Sequence, residues 1–346
     1  MKAVFFTEHG GSEVLRFGDV PDPSPGPGEV VIQIKAAACN FNDIWARQGL
    51  PRVALPLPHI SGTDAAGVVR ELGPGVDEVA IGDEVIVHGV NSCRRCPACL
   101  RGEELFCRHM KIWGFQTGPY DGAFAQYAKL QVQQLHPRPA HLSWEEAAAT
   151  STSLVSVWRM LVTRAQVKAG DTVLIWGASG GTGAFAIQLT RTLGAVPIAV
   201  TSTDRKAVFC AEMGAEHVLI GGKQDIQAEV RRITAGRGVD VVFDHVGETT
   251  WYTGIECLRW GGTLVICGAT EGFMPTIDLR YLWNKQLNIL GSHIGTHQDW
   301  LECLKMIDQR RILPPVTEVF PLEQVPAAQS RMENRELMGK IAITID

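Results

Sequence analysis

Asp171-Thr-Val-Leu-Ile-Trp-Gly177-Ala-Ser-Gly-Gly-Thr-Gly183 is the stretch whose reading decides the fold. Residues 171–176 have the apolar run of a buried strand, and the small residues after them open a helix that runs from Gly183 to Leu193 and stops at Gly194. Glycines alone make ordinary turns. Between a buried strand and a helix, they let the backbone approach a pyrophosphate whose charge rests on the first N–H groups of the helix. Ala178, Gly180 and Gly183 occupy the three positions of the dinucleotide fingerprint, with Ser179, Gly181 and Thr182 between them.

Outward from this turn, strands and helices alternate. Pro197-Ile-Ala-Val, Val239-Asp-Val-Val-Phe-Asp and Gly262-Thr-Leu-Val-Ile-Cys are further apolar strands. Continuous apolar strands separated by helices mean a parallel sheet covered on both faces, an α/β doubly wound domain. Val246, Gly268 and Ala269, just past two of these strands, are expected to line the cofactor with the turn. An NAD site places an acidic residue at the tip of the second strand. Here that strand ends Ala199-Val-Thr201-Ser-Thr-Asp-Arg-Lys206, with Thr201 in the acid's place. Ser202, Arg205 and Lys206 offer donors and charge for a 2′-phosphate, so NADPH is expected over NADH. The competing possibility is that Asp204 caps the next helix and both cations are solvated.

The first third reads differently. Val30-Val-Ile-Gln-Ile-Lys, Ala66-Gly-Val-Val-Arg-Glu-Leu and Asp83-Glu-Val-Ile-Val-His are short strands among glycines and prolines, as in a compact β-barrel. Ser143-Trp-Glu-Glu146 has the form of a capping box opening an alanine-rich helix. The terminal Lys340-Ile-Ala-Ile-Thr-Ile is a strand expected to return to the first domain. The domains are expected over residues 1–131 with 294–346, and over residues 132–293.

Four of the nine cysteines, Cys93, Cys96, Cys99 and Cys107, fall within residues 91–110. Secreted disulfide scaffolds are short and spread their cysteines. This cluster reads as one metal site, and four sulfurs with no open position make a structural zinc. An iron–sulfur cluster is the rival.

Composition excludes other classes. The chain has 346 residues, 45% hydrophobic and 20% charged, enough for two packed domains and against disorder. Its net charge of −5, with no basic block, argues against nucleic-acid partners. No apolar run approaches the roughly 18 residues of a membrane helix. The polar start of the chain gives the expectation of a cytoplasmic protein.

Gly62-Thr-Asp-Ala-Ala-Gly-Val-Val, Gly73-Pro-Gly-Val, Gly82-Asp-Glu-Val, the cysteine loop and the cofactor turn together resemble the medium-chain dehydrogenase/reductase superfamily. The resemblance spans essentially the whole chain. It implies a GroES-like β-barrel catalytic domain beside the Rossmann domain. In the zinc alcohol dehydrogenases of this family, three ligands hold a catalytic zinc. The matching positions here carry Asn40 (in Asn40-Phe-Asn-Asp43), Thr63 and Thr152, and a relay histidine is replaced by Trp45. Without a Lewis acid, zinc-type alcohol oxidation loses its machinery. His59 and His88 are isolated, as satisfied core histidines are.

Cys39-Asn-Phe-Asn-Asp, His59-Ile-Ser-Gly-Thr-Asp-Ala-Ala-Gly, Ile112-Trp-Gly-Phe-Gln-Thr, Gly122-Ala-Phe-Ala-Gln-Tyr, Arg280-Tyr-Leu-Trp and Gly291-Ser-His293 resemble the crotonyl-CoA carboxylase/reductases more narrowly. Those enzymes use NADPH to reduce an enoyl thioester and trap the enolate with carbon dioxide. Their carbon dioxide pocket uses Asn, Phe, Glu and His; the matches here are Asn40 or Asn42, Phe115, Gln116 and His293, with an amide replacing the acid. The resemblance therefore implies reduction of an enoyl thioester or enone, with Asn40, Asn42 and Asp43 near the reacting atoms and water or His293 as proton donor. Quinone reduction, carbonyl reduction, reductive carboxylation and non-catalytic NADPH binding stay open beside it. The expected partners are a small-molecule substrate and further copies in a homodimer or homotetramer.

Overall fold

A computed structural model describes residues 1–51 and 53–346. The chain divides into two compact units, one of residues Met1–Thr152, Thr296–Leu304 and Pro314–Asp346, the other of Ser153–Gly295 and Lys305–Leu313.

The second unit is built on six parallel strands: Thr172–Ile175, Val196–Thr201, His217–Ile220, Val239–Asp244, Leu258–Ile266 and Asn288–Gly291. Numbered in chain order, the sheet runs three-two-one-four-five-six. This is the doubly wound dinucleotide-binding order, whose reversal point lies beside the first strand. All six residues of Val239–Asp244 are buried, as a strand covered on both faces requires. The third and sixth strands carry no clean apolar run. Both lie at sheet edges, where one side is open, and Asn288–Gly291 is mostly exposed.

The helix after the first strand spans Gly181–Thr192, starting two residues before the expected Gly183 because the Gly180 carbonyl already accepts from Ala184 N–H at 2.8 Å. Two glycines here are obligatory. Gly177 sits at φ +60°, and a Cβ on Gly183 would stand 2.4 Å from the Gly177 carbonyl oxygen.

In the first unit the ten-residue strand Glu29–Ala38 is the hub. It pairs antiparallel with Asp64–Leu72, Tyr127–Gln131 and the terminal Lys340–Thr344. Beyond them lie Glu84–Val87 and Leu135–Pro137 on one side and Val316–Pro321 on the other. The apolar faces enclose a core that includes Ile32, Ile34, Val69, Trp113 and Phe124. Leu135–Pro137 pairs with Glu84–Val87, and Trp144–Ala148 packs on Glu29–Ala38. The first unit thus continues to Thr152 rather than ending at 131, while residues 305–313 go with the second.

Ser143 and Glu146 form the expected capping box, each side chain bonding the other's backbone N–H. The helix it opens is short, Trp144–Ala148, and a second helix, Ser151–Trp158, follows. The break falls where the Thr150 hydroxyl donates to the Ala147 carbonyl at 2.7 Å. Among the described residues, no helix is long and apolar enough to cross a membrane.

Crowding at Gly183 makes a direct prediction. Gly183→Ala should cost about 1–3 kcal/mol of stability and weaken dinucleotide binding, read by thermal denaturation and fluorescence titration. Gly180→Ala, whose Cβ meets no protein atom nearer than 3.6 Å, should leave stability unchanged and affect only the approach of the pyrophosphate. Equal losses of thermal stability in the two variants would contradict the crowding argument.

Candidate active site and cofactor site

The cofactor turn is held from beneath. Ala178 N–H donates to the Val200 carbonyl at 3.1 Å, and the hydroxyls of Ser179 and Thr201 are 3.1 Å apart. The tip of the second strand thus carries a buried threonine tied to the turn, with no carboxylate. Thr203 caps the helix Asp204–Glu212, its hydroxyl accepting from Lys206 N–H. Asp204 opens that helix and pairs with Lys223 at 2.5 Å, which holds its carboxyl below the usual range. Ser202 and Arg205 are exposed beside this helix start, and Lys206 is half-buried. Fully buried Asp244 carries no sequence signal beyond its place at a strand end. It accepts from the N–H groups of Val246 and Gly247 at 2.7 and 3.0 Å and from the Thr250 hydroxyl at 2.8 Å, fixing the Val246 turn. Gly268 and Ala269 follow Leu258–Ile266.

The cysteine loop is framed by the short pair Val90–Asn91 and Lys111–Ile112. Its four sulfurs lie within 4.8 Å of one another. Cys96–Cys99 and Cys93–Cys107 are 3.5 Å apart and Cys93–Cys99 3.9 Å. Thiolates at about 2.3 Å from one tetrahedral zinc stand about 3.8 Å from each other, so the set fits a single ion. A cluster seats its cysteines on separate irons and needs wider spacing. Backbone N–H groups of Arg95 and Cys96 lower the Cys93 thiol to about 6. Among the described residues, no other group of three or more ligating side chains could share an ion.

A third constellation forms where three strands align. Strand register sets Asp64 opposite Ala38, and Ala342 opposite the same residue on the other side. Cys39 N–H then bonds the Ile341 carbonyl at 3.0 Å. This brings Asn40, Asp64 and Lys340 together although about 300 residues separate the first from the last.

Asn40 Nδ2 donates to Thr63 Oγ1 at 3.2 Å and to Asp64 Oδ2 at 2.8 Å. Asn42 Nδ2 is 3.4 Å from Thr63 Oγ1, and the Thr152 hydroxyl 3.3 Å. Thr152 N–H donates to Asp64 Oδ1 at 2.8 Å. The three positions matching zinc ligands therefore meet around one hydroxyl, as an amide and two alcohols. The outer amide oxygen of Asn42 is buried without a hydrogen-bond partner. Asn40 spends both amide N–H groups inside the cluster, whereas Asn42 Nδ2 makes one bond there, to Thr63, and keeps its second N–H. Lys340, absent from the sequence expectations, pairs with Asp64 at 3.0 Å. A lysine opening an apolar strand was the available signal.

Other expected residues serve nearer tasks. Gln116 Oε1 accepts from Ile112 N–H at 3.0 Å, so its amide oxygen closes a local turn. Phe115 beside it is buried. His293 keeps part of its surface open, yet desolvation and then Arg159 hold its imidazole below the usual range. At neutral pH it offers a neutral ring rather than an imidazolium. His59 and His88 are buried in the first unit, outside both clusters.

Asp43 is buried and accepts from Asn40 N–H at 2.7 Å and Gly62 N–H at 3.2 Å. Burial outweighs these bonds and pushes its carboxyl from 3.8 to about 7. The folded state then holds a proton that the unfolded chain has released between about pH 4 and 7, so this residue makes stability fall as pH rises through that window. Asp43→Asn should flatten that part of the Tm–pH curve. Parallel curves for variant and wild type would refute the assignment.

Residues 181–309 match the family described as zinc-binding dehydrogenase, and residues 26–140 the alcohol dehydrogenase GroES-like domain. A crotonyl-CoA carboxylase/reductase of Cereibacter sphaeroides is 36% identical over 96% of this chain and 84% of its own. An acryloyl-coenzyme A reductase of Metallosphaera sedula is 32% identical over 99% and 100%. Among solved structures, one described as an NAD-dependent alcohol dehydrogenase superposes with a TM-score of 0.96, 37% identity and full coverage of both chains. The crotonyl-CoA carboxylase/reductase AntE in complex with NADP gives 0.90 at 29% identity, covering 99% of this chain and 94% of that one. With relatives of this identity matched over most of their length, and a Rossmann sheet in the doubly wound order, the chain belongs to the medium-chain dehydrogenase/reductase superfamily of oxidoreductases, on the crotonyl-CoA carboxylase/reductase branch.

Proposed function

We propose that this protein is an NADPH-dependent reductase of enoyl thioesters that works without a catalytic metal and without carboxylation. The observation that carries it is the cluster around Thr63. Where zinc dehydrogenases of the family hold their ion, Asn40, Thr63 and Thr152 bond to one another and present neither thiolate nor imidazole. The relatives' names support the substrate class, since crotonyl- and acryloyl-CoA are both thioesters with a conjugated double bond.

Bound NADPH supplies the hydride. The turn 177–183 holds its pyrophosphate, with the glycines giving access and the helix start supplying N–H groups. Ser202, Arg205 and Lys206 hold the 2′-phosphate. Thr201 stands where NAD sites carry an acid, and Asp204 is occupied by Lys223, which supports NADPH over the NAD named for one structural neighbour. The substrate carbonyl gains charge as hydride arrives, and Asn42 with the Thr63–Thr152 hydroxyl pair offers it hydrogen bonds in a buried setting. Water then protonates the enolate, His293 being uncharged. With the neutral amide of Gln116 in place of an acid, and its oxygen bound to Ile112 N–H, no carboxylate organises carbon dioxide beside Phe115. Cys93, Cys96, Cys99 and Cys107 hold one structural zinc that folds the loop 91–110. The exposed edge strand Asn288–Gly291 supports a homo-oligomer.

Steady-state oxidation of NADPH and NADH with crotonyl-CoA, methyl vinyl ketone and a naphthoquinone tests the reading. Crotonyl-CoA with NADPH should be preferred, and the product should be saturated even in bicarbonate. Preference for the quinone, or a carboxylated product by mass, would replace the proposal. Arg205→Ala with Lys206→Ala should weaken NADPH binding about ten- to a hundredfold, from lost charge-assisted bonds, and leave NADH nearly unchanged.

Elemental analysis should find one zinc per chain, and Cys99→Ser should lower thermal stability far more than the turnover of the folded fraction. Two zincs per chain would revive the alcohol dehydrogenase reading.

A further inference from the structure

Lys340 is 3% exposed, and its ammonium has Asn40 Oδ1 at 2.7 Å, Asp64 Oδ2 at 3.0 Å and the Cys39 carbonyl at 3.1 Å. An ammonium carries three donors and no acceptor, so these contacts run in one direction only. The Asn40 atom facing Lys340 must therefore be oxygen, which removes the usual ambiguity between the two ends of an amide. Its nitrogen is then turned toward Asp64 and Thr63, both of which can accept. With one lone pair of Thr63 Oγ1 engaged by Asn40, the direction of its remaining bonds to Asn42 and Thr152 is constrained in turn. The sense of the whole cluster starts at one lysine.

We propose that Lys340 is a positioning residue for the reduction. It touches no substrate; it fixes the Asn40 amide, and through it the Thr63 hydroxyl. The two lone pairs of that hydroxyl then go to Asn40 and Asn42 and its O–H goes to Thr152, leaving the second N–H of Asn42 and the Thr152 O–H for the substrate carbonyl. Only the identity of that substrate rests on the enoyl-reductase reading. The rival role is plain charge compensation for Asp64, which would give stability and nothing more.

Three variants separate the two roles. Lys340→Met removes charge and donor; Lys340→Gln removes the charge but keeps an N–H donor for Asn40. Asn40→Ala leaves the Lys340–Asp64 pair intact and cuts the link to Thr63. Turnover is measured on whichever of crotonyl-CoA, methyl vinyl ketone and naphthoquinone the wild type reduces fastest, with NADPH affinity and Tm as checks of folding. Positioning predicts that Lys340→Met and Asn40→Ala each lower kcat about a hundredfold, the size of a lost oxyanion donor, with KM little changed. Lys340→Gln should recover most of that loss. Lys340→Gln as slow as Lys340→Met, or Asn40→Ala at the wild-type rate, overturns the proposal. If Lys340→Met does not fold, the other two variants decide it. A wild type that reduces only the naphthoquinone overturns the enoyl reading instead, and the ratios of variant to wild type still decide the role of Lys340.

Discussion

A buried ion pair, Lys340 with Asp64, sits where four distant stretches of the first unit meet. Taking both charges out of water is costly, and such a pair persists only when further hydrogen bonds use its remaining donors and lone pairs. Those bonds are present: Asn40 and the Cys39 carbonyl complete the lysine, while Asn40 and Thr152 N–H complete the aspartate. The pair is possible because the hub strand Glu29–Ala38 has Asp64–Leu72 on one side and Lys340–Thr344 on the other, in registers that bring their ends level. Backbone pairing sets the distances, and the polar side chains exploit them.

The same sheet geometry explains how a dehydrogenase scaffold dispenses with its catalytic metal. Three side chains still converge, so the backbone has kept the shape of a ligand set while the chemistry has changed from soft donors to an amide and alcohols. Such groups orient and polarise a carbonyl oxygen but do not acidify an alcohol, which moves the site from alcohol oxidation toward reduction of an activated double bond. The cysteine loop is a separate matter. Its sulfurs come from one short segment between two small strands, so the four cysteines could hold an ion with no ligand from elsewhere in the chain.

Much of this was legible along the chain because it is local. The turn 177–183, the capping box at Ser143 and the cysteine spacing are each contained in a few residues, and each took the expected form. The edge strands His217–Ile220 and Asn288–Gly291 escaped because an edge is only half covered and needs no continuous apolar run. The alanine-rich segment looked like one helix, yet a threonine hydroxyl competing for a carbonyl divided it. Gln116 matched a pocket residue by position, and the bond its amide oxygen accepts from Ile112 N–H was not legible from that match.

The sequence by itself determined the two kinds of domain, the strand–glycine turn–helix unit, the four-cysteine cluster and the absence of soft ligands at 40, 63 and 152, since each depends on residue type at short spacing. Only the tertiary structure decided that those three positions meet at one hydroxyl, that Asn40 is spent on its neighbours while the Asn42 amide oxygen is buried without a partner, and that Lys340 bonds both Asn40 and Asp64. The reason is physical. A hydrogen bond acts over about 3 Å, and strand register, which no single segment encodes, is what brings residues 40, 64, 152 and 340 within that reach.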